Sequence, residues 1–203
     1  MYRHYGKRLL DVAGSLALLV CVAPVLLPAV IAVRLKLGGP VFWCQQRPGL
    51  NGQPFTLIKL RTMSNARNAA GQLLPDAERM TALGSLLRKS SIDELPELLN
   101  VLRGDMSLVG PRPLLMQYLS RYTPEQARRH EMRPGITGLA QVSGRNALGW
   151  EEKFARDVEY VDSCSLALDL KILVSTVWQV AARRGISQPG HVTATEFMGS
   201  VRS

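Results

Sequence analysis

Residues 12–33 form an unbroken run of 22 uncharged positions, VAGSLALLVCVAPVLLPAVIAV. A helix of that length can cross a bilayer, and the run is too long and too proline-rich for a signal peptide. Pro24 lies near its middle, reinforced by Pro28. Each removes a backbone donor and presses on the carbonyl four residues back, so the helix is expected to kink or break there. Backbone groups freed at membrane depth must then be satisfied by the protein itself. Arg3, Lys7 and Arg8 precede the run while Arg34, Lys36 and Arg47 follow it, so the one-sided Lys/Arg bias of a spanning helix is missing. The 12 residues before Pro24 reach roughly 18 Å, about one leaflet. The pattern predicts a re-entrant helix, broken at Ala23-Pro24, with both basic ends on anionic headgroups of one face. Asp11, four residues after Lys7, reads as an i,i+4 pair at the interface.

Beyond residue 38 the pattern becomes that of a globular domain. Residues 41–46 and 55–63 read as short strands around the turn-rich PGLNG. Residues 76–88 carry Met80, Leu83 and Leu87 at helical spacing. Thr123-Pro124-Glu125-Gln126 begins a helix with a capping box and must end before Arg133-Pro134-Gly135. Residues 150–162 and 166–184 are helical. The second carries the apolar stripe Leu166, Leu170, Leu173, Val177 and Ala181, read as core, and a basic, glycine-ended terminus. Residues 186–203 lack periodicity and read as a tail or a loose wrap. The expected fold is mainly α with a short β-hairpin: a membrane helix with its flanks (1–37), packed on a cytosolic α-rich catalytic domain (38–185), and a C-terminal tail (186–203).

Charge narrows the function. The chain has 25 Lys+Arg against 16 Asp+Glu, a formal +9 over 203 residues. Nucleic acid, an anionic membrane and phosphate-rich substrates could each explain that excess. The apolar run argues against a nucleic-acid partner. Cys21, Cys44 and Cys164 are scattered and odd in number, which fits neither a disulfide framework nor a structural zinc site and suits a reducing, cytosol-facing location. Three loops combine Gly, Arg and in two cases Pro: GPRP (110–113), RPGITG (133–138) and SGRN (143–146). Glycine admits an anion to backbone amides and arginine grips phosphate oxygens, so together they point to phosphate handling.

The acidic centre is Ser90-Ser91-Ile92-Asp93-Glu94-Leu95-Pro96-Glu97. Ser91-x-x-Glu94 matches a capping box, which would make Glu94 a helix-terminal partner and nothing more. Pro96 argues against it, because a cap at Ser91 puts the proline too deep in the helix. A cap at Ile92 or Asp93 keeps it in the first turn. Asp93 would then lie at a positive helix end that keeps it ionised, able to serve as a nucleophile or a metal ligand.

These residues resemble a known family. SSIDELPELLNVLRGDMSLVGPRPLL (90–115) and RPGITGLAQVSGRN (133–146) are similar to segments of the bacterial monotopic polyprenyl-phosphate phosphoglycosyl transferases. KRLLDVAGS (7–15), QQRPGLNGQPFTLIKLRTM (45–63) and the proline-interrupted membrane helix match as well, so the likeness covers nearly the whole chain. It is strongest to the small members that contain only the catalytic core. The resemblance implies a catalytic dyad, Asp93 and Glu94. Asp93 would attack the β-phosphate of a UDP-sugar, release UMP and carry the phosphosugar until polyprenyl phosphate takes it. Mg²⁺ is implied, shared between Asp93 and the diphosphate. Arg88, Arg112 and Arg145, and more weakly Lys59, would neutralise phosphate charge. Also implied are a place in the bacterial inner membrane with the catalytic domain facing the cytoplasm, and an N-acetylated donor such as UDP-di-N-acetylbacillosamine. One departure is that Ala23 stands where the family often has a serine before the helix-breaking proline.

Two other readings have their own markers. A Rossmann-like glycosyltransferase would need a glycine-rich fingerprint or an Asp-x-Asp metal motif, and only Asp157-Val158-Glu159 comes near. A non-catalytic membrane-surface module would account for the charge and the apolar run, but not for an acidic pair among arginine loops.

Overall fold

A computed structural model of the chain describes residues 2–144, 148–181 and 196–199. After a π-helical turn at Tyr2–Gly6, helix α1 (Lys7–Leu37) is helical at every position, Ala23 and Pro24 included. The expected break is therefore not an interruption. Each proline removes one ladder bond, and the bonds on either side carry the helix through. α1 buries one stripe, with Lys7, Asp11, Ser15, Ala29 and Val33 enclosed and Leu19, Val22 and Leu26 packed between them. The opposite face exposes Leu9, Leu16, Val20, Leu27 and Ile31. Among the described helices α1 is the one long and apolar enough to cross a membrane.

Both ends of α1 are fastened to the same domain. At its start Lys7 Nζ meets Asp169 at 2.8 Å, and Arg8 donates to the carbonyls of Val101 and Leu102 at 2.6 and 2.8 Å. At its end Arg61 donates to the carbonyls of Leu37, Gly38 and Gly39. The expected Lys7–Asp11 surface pair does not form. Asp11 is buried and accepts from Ser107 Oγ and Leu108 N, both at 2.9 Å, because the segment Ser107–Val109 lies against the helix there.

Strands β1 (Phe42–Pro48) and β2 (Pro54–Leu60) make the expected antiparallel hairpin, Phe42 opposite Leu60 and Pro48 opposite Pro54. Residues 76–88 do not form one helix. They divide into α2 (Asp76–Arg79) and α3 (Ala82–Lys89). Met80 adopts an extended backbone and bridges to Met63, and Thr81 then caps α3 through the Gly84 N–H. A 3₁₀ turn (Ile92–Glu94) leads into α4 (Glu97–Arg103), and β3 (Ser107–Val109) follows. Asn100 docks α4 on β2, donating to Thr56 O at 2.8 Å and accepting from Ile58 N at 3.1 Å.

A 3₁₀ segment (Met116–Arg121) precedes α5 (Pro124–Ala127), where Thr123 and Gln126 form the expected capping box. β4 (Gly135–Thr137) pairs parallel with β3, and α6 (Leu139–Ser143), α7 (Trp150–Ser163) and α8 (Leu166–Ala181) complete the described fold. The main core joins Phe55 and Leu57 of β2, Leu98 and Val101 of α4, Met106, Leu108 and Val109, Tyr160 and Val161 of α7, and Ile172 of α8.

The stripe expected to bury α8 is largely exposed instead. Of its residues Leu166 and Leu170 are half open and Val177 is 70% exposed, while Leu173 packs on the core; the neighbouring Val174 and Trp178 are exposed as well, and Ile172 and Asp169 face inward. Asp169 holds that face in place: it meets Lys7 and accepts from Tyr160 Oη at 2.6 Å and from Tyr2 Oη. Part of the tail is docked. Phe197 is buried against Tyr118, Tyr122, Trp150 and Phe154, and Arg121 holds Glu196 and the Phe197 carbonyl.

Candidate active site

The acidic centre is built by a reversal of the chain. α3 ends at Ser90, and Ser91 takes a left-handed conformation (φ 56°, ψ 18°) that costs a non-glycine residue roughly 1–2 kcal/mol. The chain turns back and presents Asp93 and Glu94 from the 3₁₀ turn. Ser91 makes no side-chain cap, so the capping box does not form, and Pro96 is the N-cap of α4, where its missing N–H costs nothing. Asp93 therefore precedes that helix by a full turn.

Three other elements bring cations to this turn. Lys59 on β2 reaches Glu94 Oε1 at 2.6 Å and Glu97 Oε1 at 3.1 Å. Arg112, from the loop after β3, reaches the same Glu94 oxygen at 2.6 Å. Arg88 at the end of α3 donates from Nε to Thr62 Oγ1 at 2.9 Å, and Thr62 is buried under α3. Gly84 makes that contact close, since a Cβ there would fall 1.7 Å from the Thr62 carbonyl oxygen. Five of the residues singled out from sequence thus meet: Lys59, Arg88, Asp93, Glu94 and Arg112. Arg145 lies outside the described residues.

The two adjacent acids differ in kind. Burial alone would raise the Glu94 carboxyl, but Arg112 and Lys59 overcome it and hold the group below the usual carboxylate range. Asp93 is 8% exposed and, among the described residues, has no hydrogen-bond or ion-pair partner. Burial and the Glu94 charge push its carboxyl above the ordinary value, against the pull of Lys59, Arg88 and Arg112. The expected ionising effect of a helix end is absent, and nearby cations take that role.

Glu97, the first residue of α4, is a site residue that motif reading passed over. Its signal was available as a third acid four positions after Asp93, one helical turn on. Burial pushes its carboxyl up to about 7, the Glu94 charge adds to this, and Lys59 opposes it. The folded protein therefore keeps this proton longer than the unfolded chain, and Glu97 makes stability fall as pH rises from about 4.5 to about 7. Glu97→Gln is expected to remove that slope: the melting temperature of the wild type, minus that of the variant, should decline between pH 5 and pH 8. A constant difference would show that Glu97 titrates normally.

The arginine–glycine loops divide. Arg112 enters the site, whereas Arg133 donates to Gly104 O at 2.8 Å at the end of α4. Gly110, Gly135 and Gly138 are used for backbone approach: a Cβ on Gly135 would fall 2.1 Å from Gly110 N, and one on Gly138 2.1 Å from Gly110 O. They let β3 and β4 pair rather than cradle an anion. Asp157, the acid nearest to an Asp-x-Asp motif, is committed to Arg129 at 2.6 Å.

No group of three or more His, Cys, Asp or Glu among the described residues is arranged to hold a metal ion. Mg²⁺ often needs only one or two carboxylates when substrate phosphates complete its shell. A carboxylate without a donor among the described residues, as at Asp93, suits that arrangement.

A family profile described as bacterial sugar transferase matches residues 2–183. The chain is 59% identical to an uncharacterized sugar transferase, EpsL, of Bacillus subtilis over 194 residues, 96% of each chain. It is 46% identical to the UDP-glucose:undecaprenyl-phosphate glucose-1-phosphate transferase of Caulobacter vibrioides, covering 84% of this chain and 68% of that one. It is 40% identical to an undecaprenyl-phosphate glucose phosphotransferase of Komagataeibacter xylinus, over 84% of this chain and 35% of that one.

Proposed function

The chain belongs to the bacterial sugar transferase family, and from that premise we propose that it moves a sugar 1-phosphate from a UDP-sugar to polyprenyl phosphate through a covalent intermediate on Asp93. The observation that carries this reading is the contrast between the adjacent acids. Glu94 is spoken for by Lys59 and Arg112, while among the described residues Asp93 keeps an unpaired carboxylate near three cations. An Asp93 oxygen attacks the β-phosphorus, the bond from that phosphorus to the bridging oxygen breaks, and UMP leaves with the electron pair. An oxygen of polyprenyl phosphate then attacks the same phosphorus, breaking the acyl-phosphate bond and restoring the Asp93 carboxylate. Phosphoryl transfer asks mainly for positioning and charge neutralisation. Lys59, Arg88 and Arg112 supply the charge, with Arg145 a further contributor, and Glu94 spaces Lys59 from Arg112. Asp93 and the diphosphate would hold Mg²⁺, which when bound offsets phosphate charge.

The proposed membrane placement is supported by α1. A straight helix of 31 residues is roughly 46 Å long, more than the hydrocarbon thickness, and a span would put its ends on opposite sides. Both ends hold the same domain through Lys7, Arg8 and Arg61. This supports a re-entrant course, with the exposed apolar face in one leaflet and both ends at the cytoplasmic side of the inner membrane. With the native cysteines replaced, Tyr5→Cys and Lys36→Cys should both label from the cytoplasm. Labelling from opposite sides would restore a simple span.

Product analysis tests the reaction. With a UDP-sugar and polyprenyl phosphate the uridine product should be UMP, and release of UDP would favour plain glycosyl transfer. Two relatives are named for glucose, so UDP-glucose heads the donor panel, followed by UDP-di-N-acetylbacillosamine.

A further inference from the structure

Arg47 is next to last in β1, cross-strand from Phe55. It is half-buried, its Nε is closed off from solvent, and among the described residues it makes no hydrogen bond or ion pair. Burial lowers its affinity for its proton, and the nearby charge of Arg112 lowers it further, while Glu97 and Tyr118 act the other way. Its neighbour Pro48 lines a small cleft together with Pro111, Arg112 and Pro113, so β1 and the Arg112 loop share one rim. Arg112 has committed one arm to Glu94 and its side chain is 44% exposed, leaving donors facing outward.

Two guanidinium groups in electrostatic reach, one of them half-buried and unpaired, raise the energy of the protein without ligand. An anion between them reverses that, and the planar fork of arginine fits phosphate oxygens best. We infer that Arg47 and Arg112 form a second phosphate subsite beside Asp93, taking a phosphate monoester. This rests on the covalent reading above, in which Asp93 and its cations handle the β-phosphate. The monoester has two sources with the same chemistry: the phosphate of the departing UMP, or that of the incoming polyprenyl phosphate.

Arg47→Gln in the full chain separates these, and it separates binding from structure. Without ligand the variant should melt at the wild-type temperature or above, because it removes a half-buried charge that has no partner among the described residues. UMP and a short-chain polyprenyl phosphate are each added to both proteins, and at least one should raise the wild-type melting temperature markedly more than that of the variant. Single-turnover assays with a UDP-sugar then assign the source. A UMP burst slowed roughly tenfold or more places the UMP phosphate at Arg47. A normal burst with transfer to polyprenyl phosphate slowed by that factor places the acceptor there. The subsite is overturned if the variant melts well below the wild type without ligand, if neither ligand distinguishes the two proteins, or if both half-reactions stay within twofold. A wild type that releases no UMP would overturn the covalent reading alone, since the melting comparison decides the subsite without turnover.

Discussion

Asp93→Asn is expected to cut UMP release by at least roughly a thousandfold, because an amide cannot form the acyl phosphate. The same variant should fold at least as well as the wild type. Asp93 is buried without a donor among the described residues, its carboxyl is pushed above its ordinary value, and a neutral side chain of the same shape removes that burden. Lost turnover together with an unchanged or raised melting temperature identifies a site residue rather than a structural one. Near-normal turnover would end the covalent mechanism. The raised Asp93 carboxyl also sets the acid limb of the pH–rate profile above that of an ordinary aspartate, since the protonated acid cannot attack.

Breaking the Arg129–Asp157 pair should produce the largest loss of stability. Both side chains are almost fully enclosed, with Arg129 donating to Asp157 Oδ2 at 3.0 and 2.6 Å, to Tyr122 Oη at 3.1 Å and to Arg112 O at 2.8 Å. Asp157→Ala strands a buried guanidinium and should cost about 3–5 kcal/mol. Arg129→Met with Asp157→Leu should recover much of that, because two apolar groups leave no orphaned charge. The double variant still loses the bond to the Arg112 carbonyl, so it should be stable yet slow. Denaturant melts and UMP release on both variants check the pattern, and a loss under 1 kcal/mol for Asp157→Ala would contradict it.

Much of this architecture was legible in the pattern of apolar positions, for reasons that also mark where it stopped. Periodicity disclosed α7, α8, the hairpin and the long first helix, because each repeats over several turns or strand residues. It also marked the apolar face of α8, but a periodic stripe does not say what covers it, and Leu166, Leu170 and Val177 prove to be largely uncovered. β3 and β4 have three residues each, too few for an alternation to register. The split of residues 76–88 depends on a bridge from Met80 to Met63, a contact outside the segment. At the site, Lys59, Arg88, Asp93, Glu94 and Arg112 could be found because they sit in motifs. Glu97 and Arg47 were passed over because their character comes from surroundings: Glu97 from burial beside Lys59, Arg47 from having no partner among the described residues.

The fastening of α1 bears on how the molecule is made. Lys7 closes on Asp169, 162 residues later in the chain, and Asp11 on Ser107 and Leu108, 96 and 97 residues later. A ribosome adds residues at about 5–20 per second, so the base of the leading helix waits many seconds for its counterpart. Until then Lys7 and Asp11 lack the partners that make their burial tolerable. α1 therefore leaves the ribosome well before the residues that lock it in place, and its seat on the domain can be completed only after Asp169 has been synthesised.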